Sequence, residues 1–419
     1  MRLACRSLIR LVAAGGFAAF VLACSLPAAQ GPAADRSNGA RVSRTGSSES
    51  SGALVVDNAA AANPDLVPVQ ISSSTGLPSL PNPVFLPRGF SISLIAAGLN
   101  EPRFMAFDPA GNLLVGTDDG SVYRVPGSVG SVTAAAGTVP LLSGLHAPSS
   151  LAFFGGYLYV AETTQVSRYA YSNGGALSDR QTVIGGLPSG GHFTRTAVFG
   201  PDGKLYLGVG SSCNICNEQD QRRAAILRYS PDGSGYERFA SGTRNAVGLA
   251  FQPGTGQLWA TVNERDDQGN EIPPDLVTAV HQGDNFGWPL CQPPNAIPQD
   301  PGNNCSGITP PTVAIQAHSA PLGLAFYTGS QFPADYQGDI IAVQHGSWNR
   351  QPPAPPQLIR VHFAGGQPVS VQDFATGWQT DERGARWGRP AGVIVAPDGS
   401  LIVSDDASGY LYRISYTGQ

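Results

Sequence analysis

The sequence predicts an all-β protein, a six-bladed β-propeller with four-stranded antiparallel blades around a central channel. Three observations carry this expectation. One kind of segment recurs six times along the chain. Glycine and proline are abundant, at 52 and 35 of 419 residues, as turn-rich chains require. Apolar residues at helical spacing are nearly absent.

The recurring segment starts with a short apolar strand, passes a Pro/Gly/Asp turn, and continues into a second strand of alternating apolar residues. It appears as EPRFMAFDPAGNLLVGTDDGSVYRV (101–125), APSSLAFFGGYLYVAETTQVSRY (147–169) and FTRTAVFGPDGKLYLGVG (193–210). It returns as TRNAVGLAFQPGTGQLWATVNERD (243–266), APLGLAFYTGSQFPADYQGDIIAVQHGSW (320–348) and GRPAGVIVAPDGSLIVSDDASGYLYRI (388–414). A third strand carrying arginine follows, as in VYRV, ILRY, LIRV and LYRI. Such a meander cannot bury both faces alone, so six copies stack and close a ring. The strand ISLIAAG near residue 95 is expected to complete the last blade.

With 42% hydrophobic and 13% charged residues, the chain can bury a sizeable core. Its 25 basic and 30 acidic residues give a net charge of −5. No basic block follows the first ten residues, which argues against a nucleic-acid partner.

Residues 1–24 read as an export signal. Arg2, Arg6 and Arg10 precede the run LVAAGGFAAFVLA, which is too short to span a bilayer. The stretch Val21-Leu22-Ala23-Cys24 has the form of a bacterial lipobox, with Cys24 acylated; plain cleavage near Ala28 or Ala29 is the alternative. Residues 25–64 have the composition of a disordered tether, and 65–419 form the propeller. The expected location is the periplasm or the outer membrane as a lipoprotein, otherwise outside the cell, with membrane contact only through Cys24.

Cys213, Cys216, Cys291 and Cys305 form an even set in an oxidising compartment, and two disulfides, Cys213–Cys216 and Cys291–Cys305, are the economical reading. The C-x-x-C pair is followed by Asn217, not by the histidine that covalent haem needs. A redox-active pair or half a zinc site stands beside the reading of a loop-pinning bridge.

Residues just ahead of each inner strand should crowd one channel mouth. Arg103, His192, Arg244, Asn245 and Arg389 occupy that slot in four blades. A neutral imidazole suits removal of a proton from an alcohol, and arginines around it suit a bound polyanion. The plainer alternatives are salt-bridging arginines and a hydrogen-bonded rim histidine. In the stretch 263–289, Glu264, Asp266, Asp267, Glu271, Asp275 and backbone carbonyls are oxygen ligands of the kind calcium takes, or else a solvated acidic loop; EF-hand spacing is not met.

The stretches LPRGFSI, GGHFTRTAVFGPDGKLYLGVGSSCNIC, RRAAILRY, ASGTRNAVGLAF, VNERDDQGNEIPPDLVTAV, NFGWP, HGSWNR and GRPAGVIVAPDGSLIVSDD together resemble the soluble glucose/sorbosone dehydrogenase family. Those six-bladed propellers use pyrroloquinoline quinone (PQQ) and Ca²⁺, and the likeness is to the L-sorbosone or pyranose dehydrogenase branch. The resemblance implies that His192 is the general base and that Arg244 and Asn245 contact PQQ. It places Ca²⁺ on the backbone carbonyls of Arg265 and Asp266.

Two positions depart from glucose-oxidising members: His345 stands at a lysine position, and Ala391 at that of a second arginine. Both argue more against a glucose specialist than against PQQ. His345, Trp348 and Arg350 are expected to stack on or pair with the flat cofactor, or else to pack as top loops, with Arg103 and Arg389 as further contacts. The function implied is an exported quinoprotein oxidising a sugar or polyol-type alcohol or aldehyde and passing electrons to an unknown acceptor. A cofactor-less binding propeller and a metal-dependent lactonase-like hydrolase are the alternatives.

Overall fold

The computed structural model describes residues 54–55, 65–73, 76–125, 140–172 and 175–418. The expected export signal and Cys24 lie outside the described residues. Each repeat is a blade of four strands, each antiparallel to the next and, in blades one to five, paired in sequence order. The inner strands are Pro102–Phe107, Ser150–Phe154, Arg195–Phe199, Asn245–Phe251, Pro321–Phe326 and Pro390–Val395. Blade six takes its fourth strand from Phe90–Ala96, which pairs with Tyr410–Tyr416 and closes the ring as expected.

Turn chemistry explains the repeat. Asp108, Asp202 and Asp398 each accept a hydrogen bond from the backbone N–H two residues on, at 2.9, 3.1 and 3.0 Å. Such aspartate turns reverse the chain between inner and second strands.

Six apolar clusters fill the six seams between neighbouring blades. Leu151 and Leu158 of blade two meet Leu114 of blade one, and Ile95 and Ile402 of blade six meet Leu113 and Val115 on its other side. Each wholly buried aliphatic or aromatic side chain contributes about 1.5–3 kcal/mol, so the ring is held by its seams.

The outer edges carry two additions. Ser72–Ser73 pairs in parallel with Phe90–Ala96, and Leu54–Val55 with Val313–Ile315. These cover edges that would otherwise offer unpaired backbone groups. Leu54–Val55 lies in the stretch expected to be an unstructured tether; its backbone is instead paired with blade four.

Four inner strands slip register: between Pro102 and Met105, Ala246 and Leu249, Pro321 and Leu324, and Pro390 and Gly392. Such bulges re-aim side chains. Phe104, Val247, Leu322 and Ala391, all inside these slips, meet as one apolar cluster contributed by blades one, four, five and six. Further along the same strands all six blades line a cavity of about 360 Å³ with no charged side chain in its wall.

Candidate active site

His192 precedes the inner strand of blade three. Its Nδ1 lies 3.0 Å from the Ser211 carbonyl oxygen and 3.1 Å from Ser211 Oγ. A carbonyl only accepts, so Nδ1 carries the proton and Nε2 keeps its lone pair, with no protein hydrogen bond to it among the described residues. Burial, then the charges of Arg244, Arg195 and Arg223, holds His192 down at about 4, although the Ser211 bond acts the other way.

The loop carrying His192 is fixed by two arginines that the sequence reading did not single out. Arg195, fully buried, donates to the carbonyls of His192 (2.9 Å), Thr194 (2.9 Å) and Pro188 (2.7 Å). Arg223 donates to those of Ser189 and Gly210. The signal was present in HFTR and in RRAAILRY, but buried arginines serving loop carbonyls look like any other strand-end arginine.

Gly210 brings His192 against Asn245. A Cβ at Gly210 would lie 2.6 Å from His192 Cβ and 2.3 Å from Asn245 Oδ1. Asn245 is buried, and its Oδ1 has no hydrogen-bond partner. It is a polar group ready to meet a bound species.

The arginines expected to cradle an anion are mostly committed to protein partners. Arg244 donates to the Glu264 carbonyl (2.7 Å), Asn214 Oδ1 (3.1 Å) and Asp266 Oδ2 (2.8 Å). Arg103 pairs with Asp406 at 2.5 Å and reaches Thr194 Oγ1 at 3.4 Å. Arg350 is buried and pairs with Glu271 at 2.6 Å, so it serves the 270–271 loop and does not enter the mouth with His192. Of these four arginines Arg389 alone keeps its Nη groups without a protein hydrogen-bond partner among the described residues; its Nε donates to the His345 carbonyl at 3.2 Å.

His345 Nε2 lies 2.8 Å from Asp406 Oδ1. Burial outweighs that carboxylate and holds the imidazole at about 4, while burial of Asp406 is overcome by His345 and Arg103, which together keep it below the usual carboxylate range. A neutral histidine therefore donates to a charged aspartate. Trp348 is 75% exposed and has no ring partner among the described residues.

Ala391 is fully buried in the apolar cluster with Val247 and Leu322 and adds nothing polar to the mouth.

The acidic residues of 263–289 do not converge. Glu264 is buried against Arg265 at 3.2 Å, Asp266 pairs with Arg244, Glu271 with Arg350, and Asp275 accepts from the Glu264 and Ala320 amides. Among the described residues only Cys213, Cys216 and Glu218 gather as three metal-type side chains, and both cysteines are bridged. The side chain of Arg265 points to the carbonyls of Pro289 and Cys291. Its own carbonyl receives no hydrogen bond among the described residues, whereas that of Asp266 accepts from Asn214 at 3.0 Å. Both expected disulfides, Cys213–Cys216 and Cys291–Cys305, are formed.

A family profile described as TrAA12-like matches residues 84–292 and 268–417. The chain is 27% identical over 329 residues to a pyrroloquinoline quinone-dependent sugar dehydrogenase of Hypocrea jecorina, covering 64% of this chain and 76% of that one. Its fold matches the holo form of the pyranose dehydrogenase PQQ domain from Coprinopsis cinerea, with a TM-score of 0.71, 22% identity, and coverage of 82% of this chain and 100% of that one. It matches the calcium structure of the Trichoderma reesei family AA12 enzyme with a TM-score of 0.72, 21% identity, and coverage of 82% and 99%. At such identities the structural matches speak for the fold alone, and the profile speaks for the family: the chain belongs to the TrAA12-like family, among the PQQ-dependent sugar dehydrogenases.

Proposed function

We propose that the protein is a quinoprotein dehydrogenase that oxidises a pyranose-type sugar with PQQ and Ca²⁺, and that it works after export. The observation that carries this reading is the His192 tautomer: a base with its lone pair kept free, beside the unpartnered amide of Asn245. The family relatives named above are PQQ-dependent sugar dehydrogenases, which supports the same chemistry.

The residues present fit these groups. Arg389, with its free Nη groups, would hold a carboxylate of PQQ, and the buried Asn245 amide would meet its polar edge. The Arg265 carbonyl, which receives no hydrogen bond among the described residues, would offer Ca²⁺ an oxygen, and that of Asp266 would join it by giving up its bonds from Asn214 and Gln268. When bound, PQQ would supply a two-electron hydride acceptor and Ca²⁺ a Lewis acid.

The chain's own residues do the rest. Ser211 fixes the imidazole so that Nε2 takes the hydroxyl proton of the sugar as the neighbouring C–H is oxidised. Burial first, then Arg244, Arg195 and Arg223, keeps that imidazole neutral beforehand. The cluster of Phe104, Val247, Leu322 and Ala391 is an apolar barrier to water along the axis.

The test is to add PQQ and Ca²⁺ to the purified chain, follow the quinone absorbance, and measure dye reduction with pyranoses. Saturable binding with sugar-dependent turnover is expected. A folded protein that binds no PQQ would overturn the reading and leave a propeller that serves as a binding module.

A further inference from the structure

The C-x-x-C motif is not used by the mechanism above, yet its loop touches both halves of the site. Ser211, at its start, holds His192. Asn214, inside the motif, meets the other half. Its Oδ1 accepts from Arg244 Nη2 at 3.1 Å and from the Asp266 amide at 2.8 Å, and its Nδ2 donates to the Asp266 carbonyl at 3.0 Å. Its backbone carbonyl accepts from Arg244 Nε at 3.3 Å and Trp288 Nε1 at 2.9 Å. Five bonds from one residue thus tie blade three to blade four, two of them to Asp266 of the 264–266 turn, two to Arg244 and one to Trp288.

The loop is itself fastened. Cys213 and Cys216 are bridged across it, Ser211 Oγ donates to the Cys213 carbonyl at 2.6 Å, and Glu218 accepts from the Ser212 amide at 2.5 Å and from Ser212 Oγ at 2.9 Å. We propose that Asn214, held by the Cys213–Cys216 bridge, is a positioning residue that couples the Arg244 guanidinium to the Asp266 turn, and so sets the cofactor side of the site. The inference rests on the function proposed above. An amide is the group the position needs, since it accepts twice through oxygen and donates through nitrogen; aspartate keeps the first pair of bonds and loses the last, and alanine loses all three side-chain bonds.

The experiment compares the wild-type chain with Asn214→Ala, Asn214→Asp and the double variant Cys213→Ser/Cys216→Ser. Two quantities are read: amide hydrogen exchange at Asp266 in the cofactor-free protein, and PQQ affinity by absorbance titration with Ca²⁺ present. Residues that orient ligands typically change affinity about ten- to a hundredfold when removed. Asn214→Ala is expected to weaken PQQ binding by that factor and to speed Asp266 exchange, with the melting temperature and the exchange of the other blades unchanged. Asn214→Asp should keep the Asp266 amide protected and bind PQQ with intermediate affinity. The double serine variant should shift both quantities in the alanine direction.

Unchanged Asp266 exchange in Asn214→Ala overturns the coupling, whether or not PQQ binds. Unchanged PQQ affinity in that variant, with the wild type binding, overturns the cofactor part. A wild type that binds no PQQ refutes the proposed function instead, and the exchange result still decides whether Asn214 holds the turn.

Discussion

Asp406 accepts the Nε2 proton of His345 at 2.8 Å while its other oxygen pairs with Arg103 at 2.5 Å. The carboxylate therefore spends its charge on an arginine that the sequence had offered to an anionic cofactor, and His345 stays neutral beside it. In the Asp406→Asn variant Arg103 loses its counter-charge. Breaking a largely buried pair of this kind costs about 3–5 kcal/mol, so the melting temperature should fall. The freed guanidinium should at the same time bind PQQ more tightly. A calorimetric scan and a PQQ titration check the two opposite signs, and a variant that loses both stability and affinity would show that Arg103 serves only the fold.

His192 sits at about 4, chiefly through burial and then through Arg244. A base must be unprotonated to act, so kcat/KM for the sugar should stay flat well below pH 6.5 and drop about tenfold per pH unit only beneath about pH 4. The stability effect has a definite sign. The unfolded histidine binds its proton near 6.5 and the folded one near 4, so its contribution is complete above pH 6.5 and is lost as the pH falls through 4. Melting curves must accompany the rate profile. His192→Ala should bind PQQ normally and lose about 10²–10⁴ in kcat; a bend in the wild-type profile at pH 6.5 would mean that a different group is titrating.

Cys291 and Cys305 close a loop rich in proline and asparagine that has little apolar surface of its own. A bridge spanning about 15 residues contributes about 3 kcal/mol by limiting the unfolded chain. Here it also presents the Cys291 carbonyl to Arg265 Nη2 at 2.6 Å. The double variant Cys291→Ser/Cys305→Ser should lower the urea-unfolding free energy by about 2–3 kcal/mol. Equal midpoints for variant and wild type would assign the order of this loop to Arg265, which also donates to Gln299 Oε1 at 2.8 Å.

The fold was legible because its signals are local and repeated: an aspartate turn after each of several inner strands, alternating apolar residues, and a spare strand at the N-terminal end. That His192 and Asn245 lie side by side was legible for the same reason, since both stand where an inner strand begins. Charge pairing was not. Arg103 and Asp406 are about 300 residues apart in sequence, and Arg350 finds Glu271 across two blades, so no local pattern reveals which arginines are already neutralised. Asn214 was hidden inside a motif whose cysteines drew the attention. The acidic loop misled because carboxylate spacing says nothing of whether each oxygen already has its own donor.

Ala391 shows how register decides chemistry. Read by its distance from Arg389, it is a lost arginine of the cofactor cradle. In the fold, a slip between Pro390 and Gly392 turns it into the cluster with Val247, Leu322 and Phe104, where it is fully buried. Ala391→Arg would place a charge with no carboxylate in that cluster, and a buried unpaired charge is expelled or unfolds its surroundings. The variant should therefore lose stability by about 3 kcal/mol or more, and PQQ binding should weaken with it. Thermal unfolding and a PQQ titration decide the matter. A folded Ala391→Arg protein of wild-type melting temperature and tighter PQQ binding would mean that the strand can shift register to offer the side chain to the mouth, and that the apolar barrier is dispensable.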